Sequence, residues 1–313
     1  MNESQMHCSI NWEPMDLKTW NVKFQKIRRA NLLQSYAYAR AMSEVKSLKP
    51  RWGIIEIDGH EAGLLQVFET GLLGKLIHAL ILDRGPLWFE GFGDKDHQAA
   101  FYKAFNRQFP KRFGRKRRII PETGLDIGPH GFTKTGKGYE TIWLDLTKPQ
   151  DTLLKELRKN WRGTLNKAQK EDLTIEWDEN GKQLPWLLSS YMVDRETKGY
   201  DGPSVKLITA LAKYAKANGD LLIGRALKKD KPVAGIMLLK HGKSATYQIG
   251  FSDDMGRKTG AHNLLLWEAV LLLQENGYKD FDLGGINDES AKGVKKFKTG
   301  LGGEITSLVG IYS

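Results

Sequence analysis

Lysines and glycines are concentrated in one segment near the end of the chain, a composition that could hold an anionic group. The segment from Lys292 to Gly303 contains four lysines and four glycines, including the pair Phe297 and Lys298. Cationic side chains on a glycine-rich backbone suit a phosphate-binding loop. A solvated basic loop has the same composition, so both interpretations remain open at this level.

Two further segments place polar or basic residues where a ligand could approach the backbone. Arg257, Gly260 and Ala261 precede a long apolar helix, and the backbone N–H groups at a helix N-terminus can hold a phosphate. A basic loop that simply enters the helix has the same pattern. Asp282 ends a strand just before two glycines, which allow close backbone approach to a ligand. Asp282 would either orient a substrate amine or cap a turn.

Other common catalytic patterns are absent from the sequence. The seven histidines do not form a zinc-binding motif, and Cys8 is the single cysteine. Neither a serine nucleophile elbow nor a Walker loop is present. The sequence therefore predicts no metal site, and a lone cysteine fits a reducing cytoplasm.

The charge balance indicates a polyanionic partner. The 313 residues include 48 Lys+Arg and 37 Asp+Glu, a net charge of +11. RNA, anionic lipid headgroups and phosphorylated substrates all fit such a surface. Residues 111–118 hold six basic residues in eight, which predicts either a phosphate contact or a solvated loop. No apolar run is long enough to span a membrane, and the N-terminus has no signal-peptide pattern.

An internal repeat in the pattern of elements predicts the fold. Strands at 51–57 and 61–68, joined by Asp58-Gly59, form a hairpin that is repeated at 221–227 and 233–239. A third strand and then a helix follow each hairpin, with the helices near 96–109 and 261–276. This order predicts a mixed α/β fold with two similar halves rather than a doubly wound parallel sheet.

Several ordered segments resemble the Fem family of non-ribosomal peptidyltransferases, which use aminoacyl-tRNA to build peptidoglycan bridges. They run along nearly the whole chain and are fairly specific as an ordered set. The matching segments are 33–40 (LQSYAYAR), 84–86 (RGP), 161–168 (WRGTLNKA), 246–252 (TYQIGFS), 263–269 (NLLLWEA), 277–285 (GYKDFDLGG) and 292–304 (KGVKKFKTGLGGE).

The resemblance implies two tandem domains of the acetyltransferase (GNAT) type with mainly antiparallel sheets. We expect a first domain at 1–148, completed by a C-terminal strand at 304–313, and a second domain at 149–303. The chain is too short for the coiled-coil arm that some members of the family carry. The Arg257–Ala261 loop also approximates the pyrophosphate loop by which acetyltransferases hold CoA.

The resemblance further implies roles for individual residues. Lys298, preceded by Phe297, corresponds to the family's transition-state lysine, and Tyr247 resembles a substrate-contacting tyrosine. Lys198 and Tyr200 stand near positions that hold the sugar-nucleotide substrate, and Arg40 near a diphosphate-binding lysine.

Three departures from the family pattern leave room for a different acceptor. Tyr38 replaces a tryptophan, Lys198 replaces an arginine, and the diphosphate-binding lysine could instead align with Met42. Lysine does not reproduce the bidentate geometry of arginine on a phosphate.

These expectations lead to one main hypothesis and two alternatives. The main hypothesis is a cytoplasmic aminoacyltransferase, in contact with the inner membrane face, that needs no cofactor and moves an amino acid from aminoacyl-tRNA to an amine of a peptidoglycan precursor. The first alternative is an acyl-CoA-dependent N-acyltransferase that uses Arg257–Ala261. The second is a non-catalytic protein that binds RNA or an anionic membrane.

Overall fold

The computed structural model divides the chain into two compact units. The first contains Met1–Tyr139 with Ser307–Ser313, and the second contains Glu140–Thr306. The structure describes residues 6–72, 74, 76–286 and 292–313, apart from the side chain of Lys292.

The first unit is built around a mainly antiparallel sheet. Its strands are β1 (Cys8–Trp12), β2 (Lys49–Ile57), β3 (His60–Leu72), β4 (Ile77–Gly85), β5 (Leu87–Trp88), β6 (Arg115–Pro121), β7 (Lys134–Gly136) and, from the C-terminus, β15 (Ile311–Tyr312). Its helices are α1 (Leu17–Phe24), α2 (Tyr36–Lys46) and α3 (Lys95–Gln108). The strand order is β1-β2-β3-β4-β6-β15-β7, with β5 paired to β3.

The second unit has its own sheet. Its strands are β8 (Glu140–Asp145), β9 (Thr174–Asp178), β10 (Leu221–Lys228), β11 (Lys231–His241), β12 (Ser244–Ser252), β13 (Asp280–Asp282) and β14 (Glu304–Ser307). Its helices are α4 (Gln150–Glu156), α5 (Lys159–Ala168), α6 (Leu184–Lys198), α7 (Val205–Ala217), α8 (Asp254–Thr259), α9 (Ala261–Glu275) and α10 (Lys292–Gly300). The order is β14-β8-β13-β12-β11-β10-β9.

The two sheets share one topology, which confirms the predicted duplication. In each, an antiparallel meander is followed by a helix and then by a strand parallel to the last meander strand, β6 beside β4 and β13 beside β12. The next position is taken by an antiparallel strand, which is β15 in the first sheet and β8 in the second. The fold is therefore mixed α/β with two mainly antiparallel sheets, as the sequence pattern predicts.

The boundary between the units differs from the expected one at residue 148. Strand β8 pairs with β13 and so belongs to the second unit, which begins at Glu140. The expected strand at 304–313 is also divided, because β14 lies in the second sheet and β15 in the first. An isolated strand pattern does not reveal which sheet it will join, since its partners are far away in the sequence.

A glycine in the second strand of each hairpin allows the close approach of a neighbouring element, which is β5 in the first unit and α6 in the second. A Cβ on Gly63 would lie 2.3 Å from the carbonyl oxygen of Leu87, and a Cβ on Gly235 would lie 2.7 Å from the Trp186 ring. Both contacts are shorter than a side-chain carbon tolerates. Each glycine follows an alanine in the second strand of its hairpin, at 62–63 and at 234–235, so the close contacts occur at corresponding places in the two sequences.

Helix α9 is buried on most of its circumference and anchors the core of the second unit. Its buried residues include Leu265, Leu266 and Val270, which join a cluster with Phe281 on β13. Such broad burial explains why its apolar residues are not restricted to a single stripe. The helix therefore fixes the position of its first turn, where His262 lies.

The described helices are short. The longest, α6 and α9, have 15 residues each, and no helix in the described part of the chain is both long and apolar enough to cross a membrane. No coiled-coil arm is present among these residues.

Candidate active site

The parallel strands of the second unit separate at the position where the candidate residues lie. Strands β12 and β13 pair from Ser244–Asp280 to Thr246–Asp282, whereas β12 continues to Ser252. In the first unit the corresponding strands pair along their length, to Gly85 and Pro121. The second sheet therefore has an opening, and Tyr247 is the first residue of β12 beyond the last paired position.

A β-bulge lies beside this tyrosine. In the pairing of β11 with β12, Met237 faces Ile249 and Leu238 faces Tyr247, so Gln248 is an extra residue. Bulges redirect side chains and are frequent next to active sites. Here the bulge sets the direction of Tyr247 independently of the regular alternation of the strand.

Asp282 fixes the turn that follows β13. Its carboxylate is buried and accepts hydrogen bonds from the Thr141 hydroxyl and from the backbone N–H of Gly284, the latter at 2.8 Å. Gly284 has a φ of +74°, a conformation that favours glycine. Of the two interpretations suggested by the sequence, the geometry favours turn capping over contact with a substrate amine.

Lys298 is a buried cation next to this turn. It lies on α10, its residue exposure is 8%, and its Nζ donates a hydrogen bond of 3.0 Å to the carbonyl oxygen of Gly285. Burial lowers the pKa of Lys298 to about 8, while the carboxylate of Asp282 acts in the opposite direction. The ammonium form therefore dominates at neutral pH, although burial disfavours it.

Aromatic and imidazole rings surround the lysine. Its Nζ lies 5.6 Å from the centroid of the Tyr247 ring, and the Tyr247 hydroxyl is hydrogen-bonded to Nε2 of His262 at 3.1 Å. The Phe297 ring packs against His262, with centroids 4.9 Å apart, and also against Trp161. Lys298 and Tyr247 thus lie together in a site with apolar walls.

The Tyr247–His262 pair is held in its neutral form. Burial lowers the pKa of His262 to about 4, with a smaller effect of Lys198 in the same direction. Burial also raises the pKa of Tyr247 above its usual range, and Tyr200 and Asp194 contribute. At neutral pH the pair therefore provides a hydrogen bond without a net charge.

A glycine provides the space for this pair. A Cβ on Gly250 would lie 2.0 Å from the Tyr247 hydroxyl and 2.9 Å from the His262 ring. Any side chain at this position would displace one of the two rings. The absence of a side chain at Gly250 thus allows the Tyr247 ring to adopt its observed position.

An acidic residue organises the end of α6. Asp194 forms an ion pair of 2.6 Å with Lys198 and accepts a hydrogen bond from the Tyr200 hydroxyl at 3.2 Å. The side chain of Lys198 remains half exposed. Because the charges of Asp194 and Lys198 act on His262, this group lies near the buried site and can present a cation to a substrate.

The glycine loop before α9 is covered by a neighbouring helix. A Cβ on Gly260 would lie 2.7 Å from Cγ2 of Thr164 on α5, and Lys167 of the same helix donates a hydrogen bond to the carbonyl oxygen of Lys258. Ala261 is buried, and Arg257 is paired with Asp254 on its own helix. This packing does not favour the loop as a pyrophosphate site.

Arg40 and the basic segment 111–118 belong to the first unit. Arg40 lies on the exposed side of α2, and Met42 is buried. Within the basic segment, Arg117 is buried and bonds to Asn106, while Arg118 forms an ion pair with Asp83. These two arginines are therefore partly structural, which reduces the number available for the phosphate contact expected from the sequence.

Three residues of the site were not predicted as functional from the sequence. His262 follows the Arg257–Ala261 segment directly but was assigned no role, and Asp194 and Thr141 belonged to no motif. The spacing of four residues between Asp194 and Lys198 on one helix was a usable signal. Nothing in the sequence could connect Thr141 to Asp282, because they meet only through the pairing of β8 with β13.

Comparisons with known proteins agree with this architecture. Residues 155–299 match the family model described as an acetyltransferase (GNAT) domain. The crystal structure of FemX superposes with a TM-score of 0.77 at 14% identity and covers 96% of both chains. A conserved Bacteroides thetaiotaomicron protein of unknown function has a TM-score of 0.60 at 14% identity, covering 97% of this chain and 98% of that one.

A third similar structure is the C-terminal domain of a putative lysylphosphatidylglycerol synthetase from Agrobacterium fabrum. Its TM-score is 0.50 at 18% identity, with 79% of each chain covered. No curated protein sequence matches the chain. The domain match and the shared fold support an enzyme of the acyltransferase type. The chain thus shares its fold with FemX, which confirms its resemblance to the Fem family at the level of the fold.

Proposed function

We propose that the protein is an aminoacyltransferase that moves an amino acid from aminoacyl-tRNA to an amine of a peptidoglycan precursor. The observation that carries the proposal is the buried ammonium group of Lys298, held by the Gly285 carbonyl beside the Tyr247 ring. The fold of FemX and the Fem-like segments along the chain support the same activity. The reaction would take place in the cytoplasm, where the charged tRNA is found, and would require no further cofactor.

The chemistry requires positioning and charge stabilisation more than activation. The ester that joins the amino acid to the tRNA ribose is already reactive, so the acceptor amine attacks its carbonyl carbon directly. An oxyanion develops on the carbonyl oxygen, and the Nζ of Lys298 would donate a hydrogen bond to it. The C–O bond to the ribose then breaks, the ribose hydroxyl leaves with a proton, and the amine loses one as the amide forms.

The apolar walls strengthen this stabilisation. Electrostatic interactions are stronger where water is excluded, and preorganised donors to an oxyanion contribute about 10²–10³-fold in turnover. Phe297, Trp161 and the neutral Tyr247–His262 pair would exclude water from the lysine. Lys198, which is half exposed and next to Tyr200, would contact a phosphate or carboxylate of the acceptor. Arg40 is a candidate for a separate phosphate contact.

A second candidate, an acyl-CoA-dependent N-acyltransferase, is favoured by the match of residues 155–299 to a GNAT domain. The packing of Thr164 against Gly260 opposes it. Calorimetric titration with CoA and acetyl-CoA separates the two candidates. We expect no saturable binding, whereas binding that is weakened by Arg257→Ala would favour the second candidate.

The direct test is transfer of a labelled amino acid. The purified protein is incubated with total tRNA charged with labelled amino acids and with soluble and lipid-linked precursors. We expect label on a precursor, abolished by prior RNase treatment and by Lys298→Met. Label that depends on acyl-CoA instead of charged tRNA would refute the proposal.

A further inference from the structure

Four large apolar side chains of the first unit are exposed at one place. Phe113 is 96% exposed, Leu72 67%, Leu76 59% and Ile77 54%. Exposed apolar residues are ordinary when they are scattered singly. A group of this size that includes a fully exposed phenylalanine indicates an interaction site. We call these four residues the apolar tip.

The members of the apolar tip are neighbours because two loops are hydrogen-bonded to each other. Leu72 and Ile77 face each other across the hairpin of β3 and β4. The loop that carries Phe113 joins this hairpin through two hydrogen bonds, from His78 N to Gly114 O at 2.8 Å and from Arg112 Nη1 to Leu76 O at 3.1 Å. The backbone therefore presents Phe113 beside the hairpin.

The surroundings of the apolar tip are basic. Lys111 and Lys116 are exposed on either side of Phe113, and Arg112 lies between them in the sequence. Neither residues 71–78 nor residues 110–118 contain an Asp or a Glu. Apolar side chains are thus combined with positive charge and with no acidic residue from the same segments.

We propose that the apolar tip and its flanking lysines dock on an anionic phospholipid bilayer. The leucines, Ile77 and Phe113 would leave water for the boundary between headgroups and acyl chains, while Lys111 and Lys116 would face lipid phosphates. This binding is independent of acyl transfer. A test of membrane binding therefore gives a result that does not depend on whether the proposed aminoacyltransferase activity is correct.

Other partners fit these observations less well. RNA would attract the lysines, but its phosphates offer nothing to three exposed aliphatic side chains. A second copy of the chain would bring the same basic surface against itself in a symmetric dimer, and like charges would repel. A bilayer with anionic headgroups can bind the lysines through its phosphates and can also bury the exposed apolar side chains.

Vesicle co-sedimentation tests the proposal. The full chain is mixed with vesicles of phosphatidylcholine alone, or of equimolar phosphatidylcholine and phosphatidylglycerol. We expect binding to the anionic vesicles only. The pair of changes Leu76→Ser and Phe113→Ser should lower the partition coefficient at least tenfold. Val22→Ser, an exposed apolar residue of the same unit, is the matched control and should have no effect.

The charged part is tested separately. Lys111→Gln and Lys116→Gln should each lower the partition coefficient about fivefold. The same change at the exposed residues Lys206 and Lys216 of α7 should have a much smaller effect. Because these residues are on the surface, the variants should keep the melting temperature of the parent chain.

A fluorescence measurement reports whether the tip itself meets the lipid. Cys8 is buried, so Ile77→Cys creates an accessible thiol that can be labelled with an environment-sensitive dye. We expect a blue shift with anionic vesicles for this label and none for a label at Val22→Cys. Absence of vesicle binding would overturn the proposal, as would binding that persists in the Leu76→Ser and Phe113→Ser variant. Loss of RNA binding or of self-association in that variant, with no vesicle binding, would assign the surface to those partners instead.

Discussion

The Nζ atom of Lys298 lies 5.6 Å from the centre of the Tyr247 ring and 3.0 Å from the carbonyl oxygen of Gly285. An adjacent aromatic face and a carbonyl dipole both stabilise a cation. Lys298 therefore keeps its charge in a nearly dry site, and its remaining N–H groups are able to donate to an oxyanion.

Removing this cation should abolish most of the activity. We predict that Lys298→Met lowers kcat about 10²–10³-fold, because an oxyanion donor is lost, while tRNA binding measured by filter retention is retained. Lys295→Met, on the same helix but half exposed and paired with Glu140, is the control and should keep most of the turnover. Full activity of Lys298→Met would remove the lysine from the mechanism.

The same change should not destabilise the protein. The pKa of Lys298 is lowered in the folded state, so folding disfavours its charged form, and below about pH 8 this cost is fully present. A methionine avoids the cost at similar volume. We predict that the melting temperature of Lys298→Met at pH 7 is equal to or above that of the parent chain. A clear decrease would mean that the hydrogen bond to Gly285 outweighs the cost of burying the charge.

The lowered pKa also predicts the pH dependence of the reaction. If the ammonium form of Lys298 is required, kcat falls as the pH rises through about 8, by about tenfold for each further unit. The Lys298→Arg variant stays charged to higher pH, so the fall of its remaining kcat should begin at a higher pH. Spontaneous hydrolysis of the ester is measured without enzyme and subtracted. A profile that stays flat well above pH 8 would contradict the assignment.

Gly250 offers a test of the Tyr247–His262 geometry that leaves both rings in the chain. We predict that Gly250→Ala lowers kcat, because a Cβ would lie 2.0 Å from the Tyr247 hydroxyl and displace the ring. Gly163→Ala is the control, since its Cβ on α5 would meet nothing within 4 Å. That change should raise stability by up to about 1 kcal/mol, as alanine is the better helix former. Equal kinetics for the two variants would show that the ring position is unimportant.

We predict that Asp194 contributes to binding of the acceptor substrate rather than to the chemical step. Asp194→Ala releases both Lys198 and Tyr200, so we expect a raised KM for the acceptor, about tenfold, with a smaller change in kcat. Glu196→Ala, exposed on the same helix, should leave both constants unchanged. A fall in kcat with constant KM would instead connect Asp194 to the chemical step.

The sequence predicted those parts of the fold that depend on local pattern. The two hairpins, with turns at Asp58-Gly59 and Lys229-Asp230, and helices α3 and α9 follow from alternation, turn residues and helical periodicity. Helices α4 and α5 follow each other closely but are separated at Leu157 and Arg158, whose backbones are extended. Neither residue is a helix breaker, so this division arises from tertiary contacts.

The resemblance to the Fem family selected several residues that the structure brings together, and their roles in a reaction stay predictions. Lys298, Phe297 and Tyr247 lie together in the structure as the Fem-like segments imply. Gln34 of the first segment has a structural role, because its side-chain amide forms hydrogen bonds with the backbone of Gln66 and Asp83. The relation of His262 to Tyr247 depends on a bulge and on the packing of α9. Such features have no signature in the sequence of one strand or one helix.

The most direct test of the central claim is a single-turnover transfer assay with tRNA charged with a labelled amino acid and a purified peptidoglycan precursor. The account predicts labelled precursor with the parent chain and with Lys295→Met. With Lys298→Met the transfer rate should be lower by about 10²–10³-fold. Transfer at equal rates in the parent chain and in Lys298→Met would contradict the role of the buried lysine. Absence of transfer to any precursor, with acylation supported by acyl-CoA, would contradict the proposed reaction.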